Sequence, residues 1–285
     1  MELLDGKLVS NAIKDNLKNV VADMKNHNKS VKLVVIQVGN DEASSVYVKQ
    51  KEKACAYIGI ESQVIKMDDD VGQNVLIGLI DDLNCDNSVN GIIVQLPLPK
   101  HLDSEAIISA INPAKDVDGF TKMNAGAAFL GHKSLISCTP FGVLKILQHY
   151  NIDIAGKECV VVGRSNIVGK PMAMLLLQND GTVTVCHSKT QNLKEICKRA
   201  DILICAIGKP KFFNKEYIKE GAVVIDVGIH RQGNGKLCGD VDFNDVKDIV
   251  SAITPVPGGV GVMTVAMLMN NCVEAAQMQY KDGGE

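Results

Sequence analysis

Val161-Val162-Gly163-Arg164-Ser165-Asn166-Ile167-Val168-Gly169-Lys170-Pro171 reads as a strand, a tight turn and the start of a helix. The β-branched run stops at Gly163, a short polar turn follows, and Gly169 and Pro171 open a new apolar segment. That order brings backbone N–H groups and the positive end of a helix dipole to one place, which suits a phosphate. Pro171 fits a first helical turn because the N–H it lacks has no partner there. The glycine spacing departs from G-x-G-x-x-G, so the run taken alone also fits a plain βα turn.

Around it, strand-like runs at 158–162, 182–186, 201–207, 222–227 and 252–254 alternate with helical patterns. One helix starts at Thr139-Pro140 and continues through Val143, Leu144 and Leu147; another runs through Leu193 and Ile196. Residues 139–262 are therefore expected to form a Rossmann-like domain. His187-Ser188-Lys189-Thr190 follows the strand at 182–186. An acidic residue there would take the ribose 2′-hydroxyl of NAD, whereas Arg164, Ser188 and Lys189 suit a 2′-phosphate and hence NADP. Gly208-Lys209-Pro210 and Gly228-Ile229-His230 end the next strands, where glycine serves either a plain turn or the close approach of a flat ligand.

Upstream, Ile13, Leu17, Val20, Val21 and Met24 recur at helical spacing. A strand at 31–38, a helix over 44–57 ended by Gly59, a strand at 61–67, a helix face of Leu76, Leu79, Ile80 and Leu83, and a strand at 91–97 follow. These strands are continuous apolar runs, the pattern of a parallel sheet covered on both faces. Residues 98–138, richer in Pro, Gly, Asp and Asn, read as a loop-rich crossing between domains. The last helix, 262–278, is expected to pack back on the first domain with its methionines as core filling. The fold class is α/β with two αβα domains, residues 1–138 plus about 263–285 and residues 139–262.

The chain has 285 residues, 46% hydrophobic and 22% charged, with a net charge of −3. No like-charge block suggests a nucleic acid or a membrane surface as partner. The start carries no apolar leader and no stretch reaches membrane length, so a cytoplasmic protein is expected. Nine cysteines include no C-x-x-C pair, and no H-E-x-x-H occurs. Neither disulfides nor a metal site is expected.

Tyr47 and Lys51, four apart on one predicted helix, share a face, while Lys49 and Lys53 point elsewhere toward solvent. A lone helical lysine is ordinarily a surface residue. Lys51 stands out through its company: Gln95-Leu96-Pro97 at a strand end, Asp116-Val117-Asp118-Gly119 in the crossing, and Pro255-Val256-Pro257-Gly258-Gly259-Val260-Gly261 before the last helix. Clustered Pro and Gly shape rigid loops that suit the wall of a ligand site. Asp118 alone also reads as a turn cap.

Tyr47-Val48-Lys49-Gln50-Lys51, Gln95-Leu96-Pro97-Leu98-Pro99, Asp116-Val117-Asp118-Gly119, Gly163-Arg164-Ser165 through Gly169-Lys170-Pro171, and Pro257-Gly258-Gly259-Val260-Gly261 occur in this order over nearly the whole chain. Together they resemble the bifunctional methylenetetrahydrofolate dehydrogenase/methenyltetrahydrofolate cyclohydrolase family. The resemblance implies a homodimer whose two domains enclose a folate cleft. It implies NADP-dependent oxidation of methylenetetrahydrofolate to methenyltetrahydrofolate, then hydrolysis to 10-formyltetrahydrofolate. Lys51 would be the catalytic lysine, Tyr47 would stack beside the folate, Gln95 would tune Lys51, and Asp118 would hold the pterin. Val94, Gln95, Leu96 and the segment Pro257, Gly258, Gly259, Val260 and Gly261 would line the substrate, while Gly163, Arg164, Ser165, Ser188 and Ile229 would hold NADP.

The implied chemistry agrees with these residue types. Hydride transfer rests on orientation of the two reactants. Hydrolysis needs a proton acceptor, and an unperturbed lysine is protonated at pH 7 in all but about 1 molecule in 2,500. The role therefore calls for burial or a nearby positive charge, which the cationic methenyl group itself would bring. Two rivals stand beside this reading. A two-domain dehydrogenase of a shikimate or amino-acid type would lack the Gln95-Leu96-Pro97 and Pro257-Gly258-Gly259 segments, and a non-catalytic nucleotide sensor would have no use for the lysine-bearing face.

Overall fold

The computed structural model describes residues 1–233 and 235–282. The elements run β1 (Glu2–Leu3), α1 (Gly6–Asn26), β2 (Lys32–Val38), α2 (Glu42–Ile58), β3 (Glu61–Met67), α3 (Gln73–Cys85), β4 (Gly91–Val94), α4 (Ser104–Ser109), α5 (Lys122–Phe129) and α6 (Cys138–His149). They continue with β5 (Glu158–Val162), α7 (Gly169–Gln178), β6 (Thr182–Cys186), α8 (Leu193–Cys197), β7 (Ile202–Cys205), β8 (Val223–Asp226), β9 (His230–Arg231), β10 (Leu237–Cys238), α9 (Phe243–Val246), β11 (Ala252–Ile253) and α10 (Val260–Asp282). By contacts the chain divides into two units, Met1–Asn11 with Cys138–Thr264, and Ala12–Ser137 with the chain from Val265 onward. Among the described residues no helix is long and apolar enough to cross a membrane.

The first unit is built on a six-stranded sheet in the order β1-β11-β8-β7-β5-β6, parallel throughout. All four residues of β7 are buried, so both faces of the sheet are covered and the strand reads as an unbroken apolar run. One face holds a core of Val160, Val162, Leu203, Val224 and Ile253 with Phe213 and Val246. Each such aliphatic side chain contributes roughly 1.5–3 kcal/mol relative to exposure. β5 lies between β6 and β7, so the chain leaves β5 for one side and later returns on the other. Ligands of open α/β sheets bind at the carboxyl ends beside such a reversal.

The second unit has a three-stranded parallel sheet, β3-β2-β4, with β2 again in the middle. Val34, Ile36, Ile92 and Val94 pack there with Leu76 and Ile80 of α3. α2 starts with Asp41, whose carboxylate accepts from the Ser44 N–H at 2.7 Å, and gives way to Gly59. From Val265 onward α10 belongs to this unit, and its Met267 and Met269 are fully buried core residues.

Three features differ from the sequence reading. The crossing at 98–138 contains helices α4 and α5, capped by Asp103 and Thr121. Neither is long enough to repeat an apolar period, so the pattern hides them. The first residues, expected with the first domain, instead place β1 beside β11 in the six-stranded sheet. The antiparallel pair β9 and β10 also lacks any periodic signal at two residues each.

The stretch 112–118 is tied down from several sides. Lys115, 6% exposed, donates to the carbonyls of Leu83 (2.9 Å), Asn84 (2.8 Å) and Asp86 (2.8 Å). These are orphan acceptors at and just beyond the end of α3, where the helix dipole also favours a cation. Asn271 of α10 donates to Val117 O at 2.9 Å and Ile136 O at 2.8 Å, and Gln279 donates to Ala114 O at 2.9 Å. Replacing Lys115 by Met strips donors from three carbonyls and is expected to lower stability by about 2–4 kcal/mol. Equilibrium urea unfolding measures this; an unchanged midpoint would mean that other donors reach those carbonyls.

Candidate active site

Helical spacing carries Tyr47 and Lys51 to one face of α2. Tyr47 is 44% exposed, Lys49 and Lys53 are exposed, and Lys51 is half-buried. Lys51 Nζ donates to Gln95 Oε1 at 2.9 Å, and Gln95 Nε2 donates to Leu96 O at 2.6 Å. A lysine offers only donors, so Gln95 must turn its carbonyl oxygen to it, and the bond to Leu96 O holds that orientation. The backbone keeps Gln95 in line too, its N–H bonded to Ile36 O at 2.8 Å just beyond β4. The Leu96–Pro97 peptide that follows is cis. Val94, expected to line the substrate, is 4% exposed and sits in the apolar core with Leu76 and Ile80, so Gln95 and Leu96 are the residues of that run with open side chains.

Alternation separates the two carboxylates of Asp116-Val117-Asp118-Gly119. Asp116, 1% exposed, accepts from Gly119 N–H (3.1 Å), Thr121 N–H (2.7 Å) and Asn124 Nδ2 (3.0 Å). It is spent on holding the loop. For Asp118, burial pushes the carboxyl above the usual carboxylate range; the Lys51 cation works against this and Asp116 adds to it. Lys51, Gln95 and Asp118 are thus one electrostatically connected group, and Lys115, Asp116 and Asn271 support it from behind. Lys115 and Asn271 carry no local sequence signal of this role, and Asp116 shows in the sequence only as part of the Asp116–Gly119 segment. The K-D-V-D alternation was the one signal that could have separated a buried Asp116 from Asp118.

At the other candidate site the turn after β5 is close-packed. Gly163 has φ 141°, and a Cβ on it would lie 2.3 Å from Ala206 O. A Cβ on Gly169 would lie 2.1 Å from Gly163 O, so both glycines are demanded by backbone approach. Pro171 is the third residue of α7, within the first turn, whose N–H groups lack helical acceptors. Ser165 Oγ itself accepts from Val168 N–H at 3.1 Å and Gly169 N–H at 3.4 Å. Two of the N–H groups assigned to a phosphate are therefore capped from within, while Arg164, Ser165 and Asn166 are exposed.

Val162 and Cys186 are register partners in β5 and β6, so Arg164 and Ser188, each two residues further on, lie at the same end of neighbouring strands. The 187–190 turn is closed by His187 N–H to Thr190 Oγ1 at 2.8 Å and Thr190 N–H to His187 O at 2.9 Å. Ser188 and Lys189 stand out from it, exposed. Ile229 is 45% exposed, and its Cδ1 would be 2.4 Å from a Cβ on Gly261. Of the 257–261 segment, Pro257 is exposed, Gly258 and Gly261 are half-exposed, Gly259 is buried, and Val260, at 2%, is core. Gly258 O accepts from Lys7 N–H at 3.0 Å, and the Val256–Pro257 peptide is cis.

Comparison with known proteins bears directly on this pairing of sites. Residues 4–118 match the tetrahydrofolate dehydrogenase/cyclohydrolase catalytic domain, and residues 137–280 match the NAD(P)-binding domain of the same name. The chain is 59% identical over 273 residues to the bifunctional protein FolD of Agathobacter rectalis, covering 96% of this chain and 98% of that one. The crystal structure of the bifunctional enzyme FolD, methylenetetrahydrofolate dehydrogenase/cyclohydrolase, from Campylobacter jejuni superposes with a TM-score of 0.96 at 48% identity, covering 98% of this chain and 99% of that one. The Trypanosoma brucei methylenetetrahydrofolate dehydrogenase-cyclohydrolase, complexed with NADP cofactor and inhibitor, gives 0.93 at 35% identity and 98% coverage of both. With both domains matched in order and identity sustained along the chain, this protein belongs to the tetrahydrofolate dehydrogenase/cyclohydrolase family.

Proposed function

We propose that this protein is a homodimeric cytoplasmic enzyme that oxidises 5,10-methylenetetrahydrofolate to 5,10-methenyltetrahydrofolate with NADP and hydrolyses the product to 10-formyltetrahydrofolate. The observation that carries the reading is the Lys51 Nζ–Gln95 Oε1 bond of 2.9 Å, set beside Asp118 in a chain of this family. The unit of Ala12–Ser137 and the residues from Val265 onward takes the folate, and that of Met1–Asn11 and Cys138–Thr264 takes the nucleotide. Nine cysteines without a C-x-x-C pair suit a reducing compartment. The dimer follows from the family resemblance, and sedimentation of the purified protein tests it.

The close-packed Gly163–Gly169 turn and the exposed Arg164, Ser188 and Lys189 fit a 2′-phosphorylated dinucleotide. NADP, when bound, supplies the hydride acceptor. Tyr47, on the Lys51 face, offers a ring for a flat pterin, and Asp118 accepts hydrogen bonds from its N–H groups. In hydrolysis the bound methenyl cation favours the neutral amine of Lys51; water bonds to the one-carbon unit, a proton passes to Lys51 Nζ, and the carbon–N5 bond breaks with N5 taking a proton, so that one proton is released overall. Gln95 keeps Nζ aimed through that sequence. Leu96 shapes the folate site, and Ile229 the nucleotide site.

A spectroscopic assay with methylenetetrahydrofolate tests the whole reading: NADP reduction faster than with NAD, and little build-up of methenyltetrahydrofolate. No reduction with either nucleotide would sink it. Lys51→Met is expected to cut cyclohydrolase turnover by about 100-fold or more while NADP binding survives; joint loss of NADP binding counts against the role. Arg164→Ala should raise the KM for NADP by about 10- to 100-fold and leave that for NAD alone, as loss of a charge-assisted bond requires. Asp118→Asn should weaken folate binding yet raise Tm. Because the Asp118 pKa is raised in the folded chain, the wild type has its full stability below the ordinary carboxylate pKa and loses it as pH rises through the folded value. The Tm advantage of the variant therefore grows from pH 4 to pH 8; an advantage that shrinks over that range would refute the assignment of burial as the cause.

A further inference from the structure

Outside the residues given roles above lie two buried carboxylates, Asp226 at the end of β8 and Asp240 just after β10, 3% and 0% exposed. Asp240 Oδ2 accepts from the N–H groups of Ile207 at 2.7 Å and Gly208 at 3.0 Å. Its Oδ1 accepts from Lys209 N–H at 2.8 Å and lies 2.8 Å from His230 Nε2. In the tautomer with hydrogen on Nε2, His230 donates to this oxygen. Asp226 makes the reciprocal set: Oδ1 takes Gly228 N–H at 3.0 Å and Asp240 N–H at 2.9 Å, and Oδ2 takes Val241 N–H at 2.9 Å.

The consequence is a pinned surface. The turn leaving β7 is held at three successive N–H groups, next to Ala206 O, which contacts Gly163. The 228–230 segment is held at Gly228 by Asp226 and at His230 by Asp240, and Ile229 between them projects its side chain. Strand order sets how a dinucleotide would lie on this surface. A dinucleotide with its 2′-phosphate at Ser188 after β6 and its pyrophosphate at Gly163 after β5 would have its nicotinamide half toward the ends of β7 and β8. Those are the ends that Asp240 organises. A neutral amide in its place would turn an NH2 group toward a ring of N–H donors, so the site needs the carboxylate and not merely its shape.

We propose that Asp240, acting through the 207–209 turn and His230, is a positioning residue that sets the nicotinamide half of the dinucleotide for hydride transfer. The inference rests on the NADP-dependent reading above. Its signature is a split between activities of one polypeptide, since Asp240 serves the nucleotide unit alone.

The test compares wild type, Asp240→Asn, His230→Ala and His230→Gln as full-length proteins. Dehydrogenase kcat with NADP, cyclohydrolase rate on supplied methenyltetrahydrofolate, and the NADP-to-NAD preference are read for each. Asp240→Asn is expected to lower dehydrogenase kcat by about 10- to 100-fold, the scale of lost orientation, with cyclohydrolase rate and NADP preference kept. His230→Ala, at the half-exposed rim of the network, is expected to lower kcat by a few-fold, and His230→Gln, which keeps a donor, to restore it; this pair decides the matter should Asp240→Asn not fold. Equal loss of both activities in step with Tm, or unchanged dehydrogenase kcat in His230→Ala, overturns the proposal. A wild type that hydrolyses methenyltetrahydrofolate but reduces no NADP overturns the underlying reading as well, and is recognised before any variant is made.

Discussion

Parallel pairing is the constraint on which the rest depends. When every strand runs the same way, each connection must return over a face of the sheet, and all strand ends of one polarity collect at one edge. In both sheets the first strand of the αβ series sits in the middle: β5 between β6 and β7, and β2 between β3 and β4. Connections leave such a strand toward opposite sides, and the carboxyl edge beside it stays open. Gly163 and Ala206 meet at one of these edges, and Gln95 leaves β4 at the other.

What stands at those edges is decided by how each buried carboxylate is satisfied. Asp116, Asp226 and Asp240 each accept three or more hydrogen bonds from neighbouring N–H groups. Such bonds supply the buried carboxylate with partners and fix the loop shape, although at Asp226 burial still outweighs them and lifts the carboxyl to about 6. Asp118 belongs to the same short stretch as Asp116, yet burial dominates its environment and lifts its pKa. One carboxylate shapes the loop, while its neighbour but one is governed by burial and by the Lys51 cation. Lys115 completes the arrangement from the opposite sign, spending a cation on the end of α3 to anchor the same stretch.

Much of this was legible in the order of residues. The apolar runs of β2, β5, β7 and β8 announced a buried parallel sheet because a strand covered on both faces has no polar side to show. Tyr47 and Lys51 could be put on one face because helical spacing is fixed by backbone geometry. The short elements α4, α5, β1, β9 and β10 were invisible for the complementary reason: a periodic signal needs more residues than they contain. Val94 and Val260 illustrate a second limit, since a residue inside a site motif can still point into the core.

By itself the sequence determined the alternation of strands and helices, the helix face bearing Lys51, the glycines at 163 and 169, and the family, because each depends on neighbours in the chain or on residue identity in order. Only the tertiary structure decided that Lys51 meets Gln95, that Asp116 holds its loop while burial raises the pKa of Asp118, and that Asp240 gathers the 207–209 turn and His230. Those contacts join residues brought together by sheet order and loop closure, and hydrogen-bond partners at that range leave no local trace in the chain.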